Sequence, residues 1–179
     1  GDDVLDLLEE MSKKVYLWVE LGLQTINDKT AENFNRGYKF EVFKEGIKKL
    51  QDRGIEVVVH SIFGLPGETK EDMLRTIDYI AHSGAQGIKF HLLHLMKNTK
   101  MAEQYYNGEF ELLSEEDYID LICEGISMIP EDMVVHRLTG DAPRATLIGP
   151  MWSLKKWEVL NAIDKALVDR DIWQGKNFK

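Results

Sequence analysis

Polar side chains recur in this sequence where apolar, strand-like segments approach their ends. They are Glu20, Gln24, His60, His91 and His94, and a later segment adds His136 and Arg137. Carboxylate and imidazole groups can move protons or bind a metal ion, and an amide can hold the hydroxyl groups of a ligand. Because the carboxyl ends of parallel strands meet at one edge of a sheet, these residues could form a single site.

Metal-assisted hydrolysis is one chemistry that these side chains allow. Glu20, His60, His91 and His94 offer the ligand types that zinc or manganese accepts. Their spacing does not fit the helical HExxH pattern, and neither a glycine-rich phosphate loop nor a G-x-S-x-G turn occurs. A small metal-dependent hydrolase and a non-catalytic α/β binding module remain alternatives to the function suggested below.

The segment from Val57 to Thr69 predicts how His60 is positioned. Its apolar run is typical of a strand buried on both faces, and the Gly64–Gly67 segment that follows predicts a tight turn. Thr69 and Asp72 are spaced as a helix cap. A buried strand therefore enters a helix through a turn, which is half of a βαβ unit. His60 is either a core histidine paired with a neighbour or a ligand contact.

Strand and helix patterns alternate along the first two thirds of the chain. We predict further strands at Val15–Leu23 and Ile88–Leu95, and the strands recur at roughly 30–40 residues with helices between them. Glu20 and Gln24 share one side of the first strand by alternation. This period predicts parallel strands with helices on the outer face.

The pattern changes after Met96. We predict a helix that starts at Ser114, a short strand at Met133–Leu138 that extends or lies beside the sheet, and a long helix over Ser153–Arg170 with Trp157 inward. The predicted organisation is an N-terminal helix over residues 1–14, a region of alternating strands and helices over 15–108, which the family resemblance described below makes a half-barrel, and a C-terminal extension over 109–179.

Composition limits the classes of function. The net charge of −9 argues against nucleic-acid binding by this chain alone, and a single cysteine, Cys123, excludes a disulfide framework and a multi-cysteine metal site within it. No apolar run of membrane length and no signal segment is evident, so we expect a cytoplasmic protein. Because the chain starts at Gly1 instead of Met, we expect a piece of a longer protein.

Three segments resemble one enzyme family: Val19–Thr25, Asn35–Tyr38 and His60–Thr69. In order and spacing they are similar to the second half of a radical S-adenosylmethionine (SAM) enzyme core. The branch is that of the Elongator catalytic subunit and the oxygen-independent coproporphyrinogen oxidase, and includes a bacterial group of uncharacterised Fe–S oxidoreductases. The likeness continues through Gly87–His91, His136–Arg144 and Trp173–Lys176, and so covers almost the whole chain.

The resemblance implies the C-terminal half of a partial (β/α)6 TIM-type barrel with a mostly helical C-terminal extension, and SAM bound across its open top. Gln24 matches the residue that holds the ribose hydroxyls, and Glu20 would support it. His60 would face the methionyl or ribose part of SAM. The other implied cofactor contacts, all near the adenine, are Ile62, Gly64, His91, Leu93 and Met96.

This sequence departs from the family in two places. The Cys-x3-Cys-x2-Cys loop that holds a 4Fe–4S cluster and the Gly-Gly-Glu stretch that grips the SAM amine are both missing. We therefore expect the cluster ligands to lie outside this chain, which would be inactive by itself. The full-length enzyme would cleave SAM reductively to a 5′-deoxyadenosyl radical that acts on an unknown substrate, RNA or a tetrapyrrole. We also expect self-association through the exposed sheet edge, or a cover over that edge from the N-terminal helix.

Overall fold

The computed structural model describes all 179 residues and is built on a four-stranded parallel sheet. The strands in chain order are β1 (Trp18–Gln24), β2 (Glu56–Phe63), β3 (Gly87–Leu92), β4 (Leu95–Met96), β5 (Val134–Arg137) and β6 (Leu147–Gly149). The main sheet has the order β1-β2-β3-β5, and β4 pairs antiparallel with β6. The predicted α/β class and parallel sheet are confirmed.

Seven α-helices and one 3-10 helix surround these strands. They are α1 (Asp2–Ser12), α2 (Asp28–Asn33), α3 (Phe40–Gln51), α4 (Lys70–His82), α5 (Lys100–Tyr106), α6 (Glu115–Met128), the 3-10 helix Met151–Leu154 and α7 (Lys156–Asp169). Thr69 caps α4 through the predicted capping box with Asp72. No helix in the structure combines the length and apolar character that a membrane span requires.

The hydrophobic core lies on one face of the sheet, against the helices. Alternate residues of β2 and β3 enter it, among them Val57, Val59, Ile88 and Phe90, and all four are fully buried. Helices α3, α4 and α6 add apolar residues to the same cluster. Because side chains alternate along a strand, the intervening residues of the same strands lie on the opposite face.

The polar face of the sheet lies opposite the hydrophobic core, and we call it the concave face because the predicted partial barrel would curve toward it. Side chains from both edge strands lean over this face. The ring centroids of Trp18 on β1 and His136 on β5 lie 6.2 Å apart, and the His136 ring packs over Gly87 of β3.

The third strand of the sheet ends earlier than the sequence predicted. β3 stops at Leu92, whereas the apolar pattern had extended it to Leu95. Leu93 donates one more hydrogen bond to Phe63, the last residue of β2, and beyond it the Gly64 turn takes the neighbouring strand away. Leu95 and Met96 then pair with β6 instead.

The C-terminal segment contributes a strand to the sheet and contains one wrong prediction. β5 pairs with β3 and extends the sheet, in accord with one of the two predicted arrangements. Trp157 is 76% exposed, although it was predicted to point inward. Helix α7 buries Val159 and Ile163. Trp157 lies two residues, about 200°, from Val159 around the helix, so it faces solvent.

Candidate functional site

The concave face of the sheet carries a row of polar side chains. In the strand register, Gly22 is aligned with His60, His60 with Lys89, and Lys89 with Arg137. Aligned residues in neighbouring strands point to the same side of a sheet. Ile62 and His91 form the next aligned pair toward the carboxyl ends.

Glu20 is held by two basic side chains of this row. His60 Nε2 lies 2.8 Å from Glu20 Oε2, and Lys89 Nζ lies 2.6 Å from both carboxylate oxygens. The hydrogen bonds from Lys89 lower the pKa of Glu20 to about 2, so the carboxylate is charged at neutral pH. Burial lowers the pKa of His60, against the pull of Glu20. The neutral imidazole therefore donates to a charged carboxylate that Lys89 already neutralises.

His91 packs beside His60, with the ring centroids 5.1 Å apart. Burial is the largest cause that lowers the pKa of His91 to about 4, and the neighbouring titratable ring of His60 lowers it further. Its Nε2 atom is buried and has no hydrogen-bond partner. An unpaired buried polar atom costs roughly 1–3 kcal/mol, so this atom is a candidate ligand contact.

Gln24 adopts the left-handed backbone conformation, with a φ of 60°. Its side-chain amide folds back over Gly22, into the space that a Cβ atom there would occupy. With its nitrogen toward the main chain, the amide donates to the Gly22 carbonyl at 2.9 Å and to the Leu23 carbonyl at 3.0 Å. Since Gly22 is aligned with His60, the Gln24 amide lies on the concave face, and its oxygen is left to accept a hydrogen bond.

Arg36 fixes the backbone on both sides of Gln24. Its Nη1 donates to the carbonyls of Leu23 at 2.9 Å and Thr25 at 2.5 Å, and its Nη2 lies 2.7 Å from Asp28. The Arg36 side chain is only 2% exposed. A non-glycine residue with positive φ is strained and persists only where its surroundings hold it. The arginine supplies that restraint.

Two further contacts join the same backbone to neighbouring loops. The Tyr38 hydroxyl donates to the Gly22 carbonyl, and the Thr25 hydroxyl donates to Glu68. Glu68 belongs to the turn between β2 and α4, and burial raises its pKa. The carboxyl end of β1 is therefore tied to the carboxyl end of β2 by side chains as well as by the strand ladder.

The remaining predicted contacts lie farther along the carboxyl edge. Gly64 has a φ of 86°, and a Cβ there would lie 3.1 Å from Leu113 and 3.8 Å from Leu93. Leu93 and Met96 line a groove of about 290 Å³ together with the end of α2 and the start of α5. The structure thus brings Glu20, Gln24, His60 and His91 to the concave face and places Leu93 and Met96 in a neighbouring groove. Their roles toward SAM stay predictions.

The structure does not assemble the alternative metal centre. No three His, Cys, Asp or Glu side chains converge on a position that could hold a metal ion. The His94 ring lies against Gly140, where a Cβ would be 2.7 Å from its Cε1 atom. Lys89 also donates hydrogen bonds to the carboxylate of Glu20, which is the only acidic ligand proposed for that metal centre.

Sequence reasoning missed two basic residues near the site, Arg36 and Lys89, and placed a third, Arg137, only at the end of a strand. Lys89 precedes His91 by two residues, so the alternation of β3 could have placed both on one face. Arg36 was noted only as part of a family segment, because nothing in its local sequence shows that it returns to β1. Arg137 aligns with Lys89 through a β-bulge, which no sequence pattern reveals.

Comparisons with known proteins agree with this architecture. The family model for the Radical SAM superfamily matches residues 1–80, and that for the Radical_SAM C-terminal domain matches residues 85–169. The solved structure of archaeal Methanocaldococcus infernus Elp3, with an N-terminal deletion, covers 94% of this chain and 40% of its own at a TM-score of 0.77. Since the two are 22% identical, this likeness shows the fold alone.

Curated relatives extend beyond this chain. The uncharacterised protein YtqA of Bacillus subtilis is 50% identical over 178 residues, which are 99% of this chain and 55% of that protein. A tRNA uridine(34) acetyltransferase of Methanocaldococcus jannaschii is 26% identical over 144 residues, 79% of this chain and 27% of the enzyme. The chain spans about half the length of YtqA and of two further curated relatives.

Proposed function

On the premise that the chain belongs to the radical SAM superfamily, we propose that it positions SAM within a larger radical SAM enzyme. The chain resembles a C-terminal half of the radical SAM domain. The cofactors of this family are SAM and a 4Fe–4S cluster. When bound, they supply a one-electron cleavage of SAM to methionine and a 5′-deoxyadenosyl radical. A reaction of this kind needs a reducing compartment, which supports the expected cytoplasmic location.

The residues of this chain do not fit the cluster. Such clusters are held by several cysteine thiolates. This chain has one cysteine, Cys123, which is fully buried within α6, and burial raises the pKa of its thiol. We therefore assign the cluster ligands to residues outside the chain and expect no SAM cleavage by the chain alone.

The carboxyl edge of β1 does fit an adenosine-bearing ligand. The observation that carries this proposal is the left-handed Gln24, fixed by Arg36 with its amide on the open concave face. Its amide oxygen would accept a hydrogen bond from a ribose hydroxyl. Because the backbone is fixed before the ligand arrives, little further ordering is needed on binding.

Glu20 and His60 would keep the site polar below that amide. Lys89 holds the Glu20 carboxylate in place, and the neutral His60 ring bonds to that carboxylate and packs beside the His91 ring. These groups would orient the ribose or methionyl part of SAM without carrying a proton in the reaction. The groove at Leu93 and Met96 would receive the adenine against apolar side chains.

We propose RNA as the substrate class, with a tetrapyrrole as the alternative. Support comes from the archaeal relative whose name assigns it to uridine 34 of tRNA. The net charge of −9 means that an RNA surface would have to come largely from outside this chain.

Anaerobic reconstitution with iron, sulfide and a reductant tests the proposal. We expect 5′-deoxyadenosine from a full-length protein that contains this chain and none from the chain alone. Without the iron chelate and the amine contacts, a loss of ~3–4 kcal/mol would weaken SAM binding by the chain by roughly two to three decades. Formation of 5′-deoxyadenosine by the isolated chain at a comparable rate would refute the assignment of the cluster.

The role of the carboxyl edge is tested by a pair of glutamine variants in the full-length protein. Gln24→Ala should raise the Kd for SAM and reduce 5′-deoxyadenosine. Gln104→Ala, on α5 and without side-chain hydrogen bonds, should change neither. Equal effects of both substitutions would remove Gln24 from the cofactor site.

A further inference from the structure

The main chain makes a tight turn around Gln24. The Thr25 N–H donates to the Leu23 carbonyl at 2.8 Å, across Gln24 with its φ of 60°. A hydrogen bond between residues two apart, with a positive φ between them, is typical of a γ-turn, which is rare because it is strained. Such a turn persists only where its surroundings hold it. Arg36 holds the carbonyl groups of this turn, and a second restraint acts on the side chain of Thr25.

The Thr25 side chain is bound on both sides of its hydroxyl group. Thr25 is fully buried, and its Oγ1 atom accepts a hydrogen bond from the Asn27 N–H at 2.9 Å. The hydroxyl donates its own proton to Glu68 Oε1. Since a hydroxyl group has a single proton, this contact uses the only donor that Thr25 offers from its side chain. Glu68 therefore holds the residue that directly follows Gln24.

Glu68 is half-buried, and its surroundings do not suit a charge. Its second oxygen, Oε2, is buried and has no hydrogen-bond partner. The hydroxyl groups near it belong to Thr25 and Thr30. The charged groups that act on it are Asp72 and Arg75 of α4, which pair with each other at 2.6 Å. Burial raises the pKa of Glu68, and a neutral carboxyl group can still accept the Thr25 hydroxyl through its carbonyl oxygen.

The turn has one more contact with the unit formed by β2 and α4. The Ile26 N–H donates to Thr76 Oγ1 at 3.2 Å, and Thr76 is only 2% exposed. Residues 25 and 26 are therefore both attached to that unit. Of the two contacts, the one between Glu68 and Thr25 joins two side chains, so substitution can remove it from either end.

We propose that Glu68 is a positioning residue for the cofactor: by accepting the Thr25 hydroxyl, it holds the turn at Gln24 in the conformation that presents the amide on the concave face. The role of that amide toward SAM rests on the proposed function. Glu68 acts through this hydrogen bond and makes no contact with the ligand itself.

The turn can be tested in the 179-residue chain without cluster or SAM. Glu68→Leu removes the acceptor and Thr25→Val removes the donor, whereas Glu68→Gln and Thr25→Ser keep them. Under conditions in which every variant is folded by urea titration, NMR measures the protection of the amide at position 25 from hydrogen exchange. We expect the first two variants to lose protection by about five- to tenfold and the second two to keep it. Glu71→Leu, at an exposed acid on α4, is the matched control and should leave it unchanged.

The cofactor role is tested in the full-length protein that contains this chain. Glu68→Leu should raise the Kd for SAM about five- to tenfold, and Glu68→Gln should stay within about twofold of the parent protein. In a Gln24→Ala background, Glu68→Leu should raise the Kd no further, because the group that Glu68 positions is already absent. A merely structural role would add the same loss in either background.

Each outcome decides the proposal. A raised Kd for Glu68→Leu that disappears in the Gln24→Ala background supports it. Equal losses in both backgrounds, equal effects of Glu68→Leu and Glu68→Gln, or unchanged protection at position 25 in Glu68→Leu would overturn it. A raised Kd for Gln24→Ala beside an unchanged Kd for Glu68→Leu would refute the positioning role alone. An unchanged Kd for Gln24→Ala would refute the proposed cofactor contact itself, and the positioning role with it.

Discussion

The two faces of the parallel sheet are built from the same strands but are stabilised in opposite ways. On the convex face, Val59, Ile88 and Phe90 are fully buried against helices. On the concave face, His60, Lys89 and His91 lie on the same two strands, each partly exposed, and interact mainly through charge and hydrogen bonds.

This difference separates folding from binding within single strands. Burial of apolar surface stabilises by about 25 cal/mol per Å², so the convex face supplies most of the folding free energy. Exposed or half-exposed ion pairs contribute little to stability. The concave residues can therefore be arranged for a ligand while the core holds the strands in place.

Adjacent residues of β3 give the sharpest test and the largest expected effect. Phe90→Ala should lower the free energy of unfolding by about 3–5 kcal/mol, because Phe90 packs against Phe63 and approaches Gly125 closely. His91→Ala should change it by about 1 kcal/mol or less, since loss of packing is offset by removal of an unsatisfied nitrogen. Urea unfolding measures both. Similar losses would show that the faces are not energetically distinct.

At the carboxyl edge of the concave face, polar contacts should contribute measurably to stability, because Arg36 is buried there. Arg36→Ala leaves the Leu23 and Thr25 carbonyls without this donor and should cost about 2 kcal/mol. Arg53→Ala is the matched control. Its pairs with Asp6 and Glu9 lie near the surface, so the expected loss is under about 1 kcal/mol. Equal urea midpoints for the two variants would show that the hydrogen bonds of Arg36 to the main chain do not stabilise the fold.

Acidification should act on the concave face through His91. Its pKa is about 4 in the fold and 6.5 in the unfolded chain, so the unfolded chain binds more protons between these values. Stability is therefore lost as the pH falls from 6.5 to 4. His91→Gln should remove about 1–2 kcal/mol of that loss, a figure reduced for solvent contact. A pH series of urea unfolding in both proteins checks this, and parallel pH profiles would refute it.

The free edge of β1 gives the smallest expected effect. β1 pairs only with β2, and Tyr16 and Trp18 beside that edge are 76% and 42% exposed. Unpaired strand edges recruit other chains, so we expect weak self-association in sedimentation experiments. Trp18→Lys should reduce it, whereas Trp157→Lys, at an exposed tryptophan on α7, should not. A chain that stays monomeric at high concentration would contradict this prediction.

The convex face could be predicted because its signal is local. The Val57–Phe63 run and the Thr69–Asp72 cap lie within one βα unit, and both features occur in the structure. The end of β3 and the outward Trp157 could not be predicted in the same way. The end of β3 depends on where the neighbouring strand β2 stops. The orientation of Trp157 depends on where α7 starts after the 3-10 helix.

The concave site was predictable only in part. Alternation put Glu20 on one face of β1, and the family likeness pointed to Gln24, His60 and His91. Pattern alone does not reveal that Gln24 is left-handed, because that conformation depends on Arg36 returning from a later loop. The pairing of Lys89 with Glu20 likewise depends on contacts across three strands.

The place of the Gln24 amide over Gly22 also bears on how this protein can evolve. A methyl group at position 22 would meet the flexible end of a side chain, which can move aside. Drift to alanine there would therefore pass a screen for folding, yet it would displace the group proposed to contact the ribose. Selection for cofactor binding would have to remove such variants, so positions 22 and 24 are expected to change together among functional descendants.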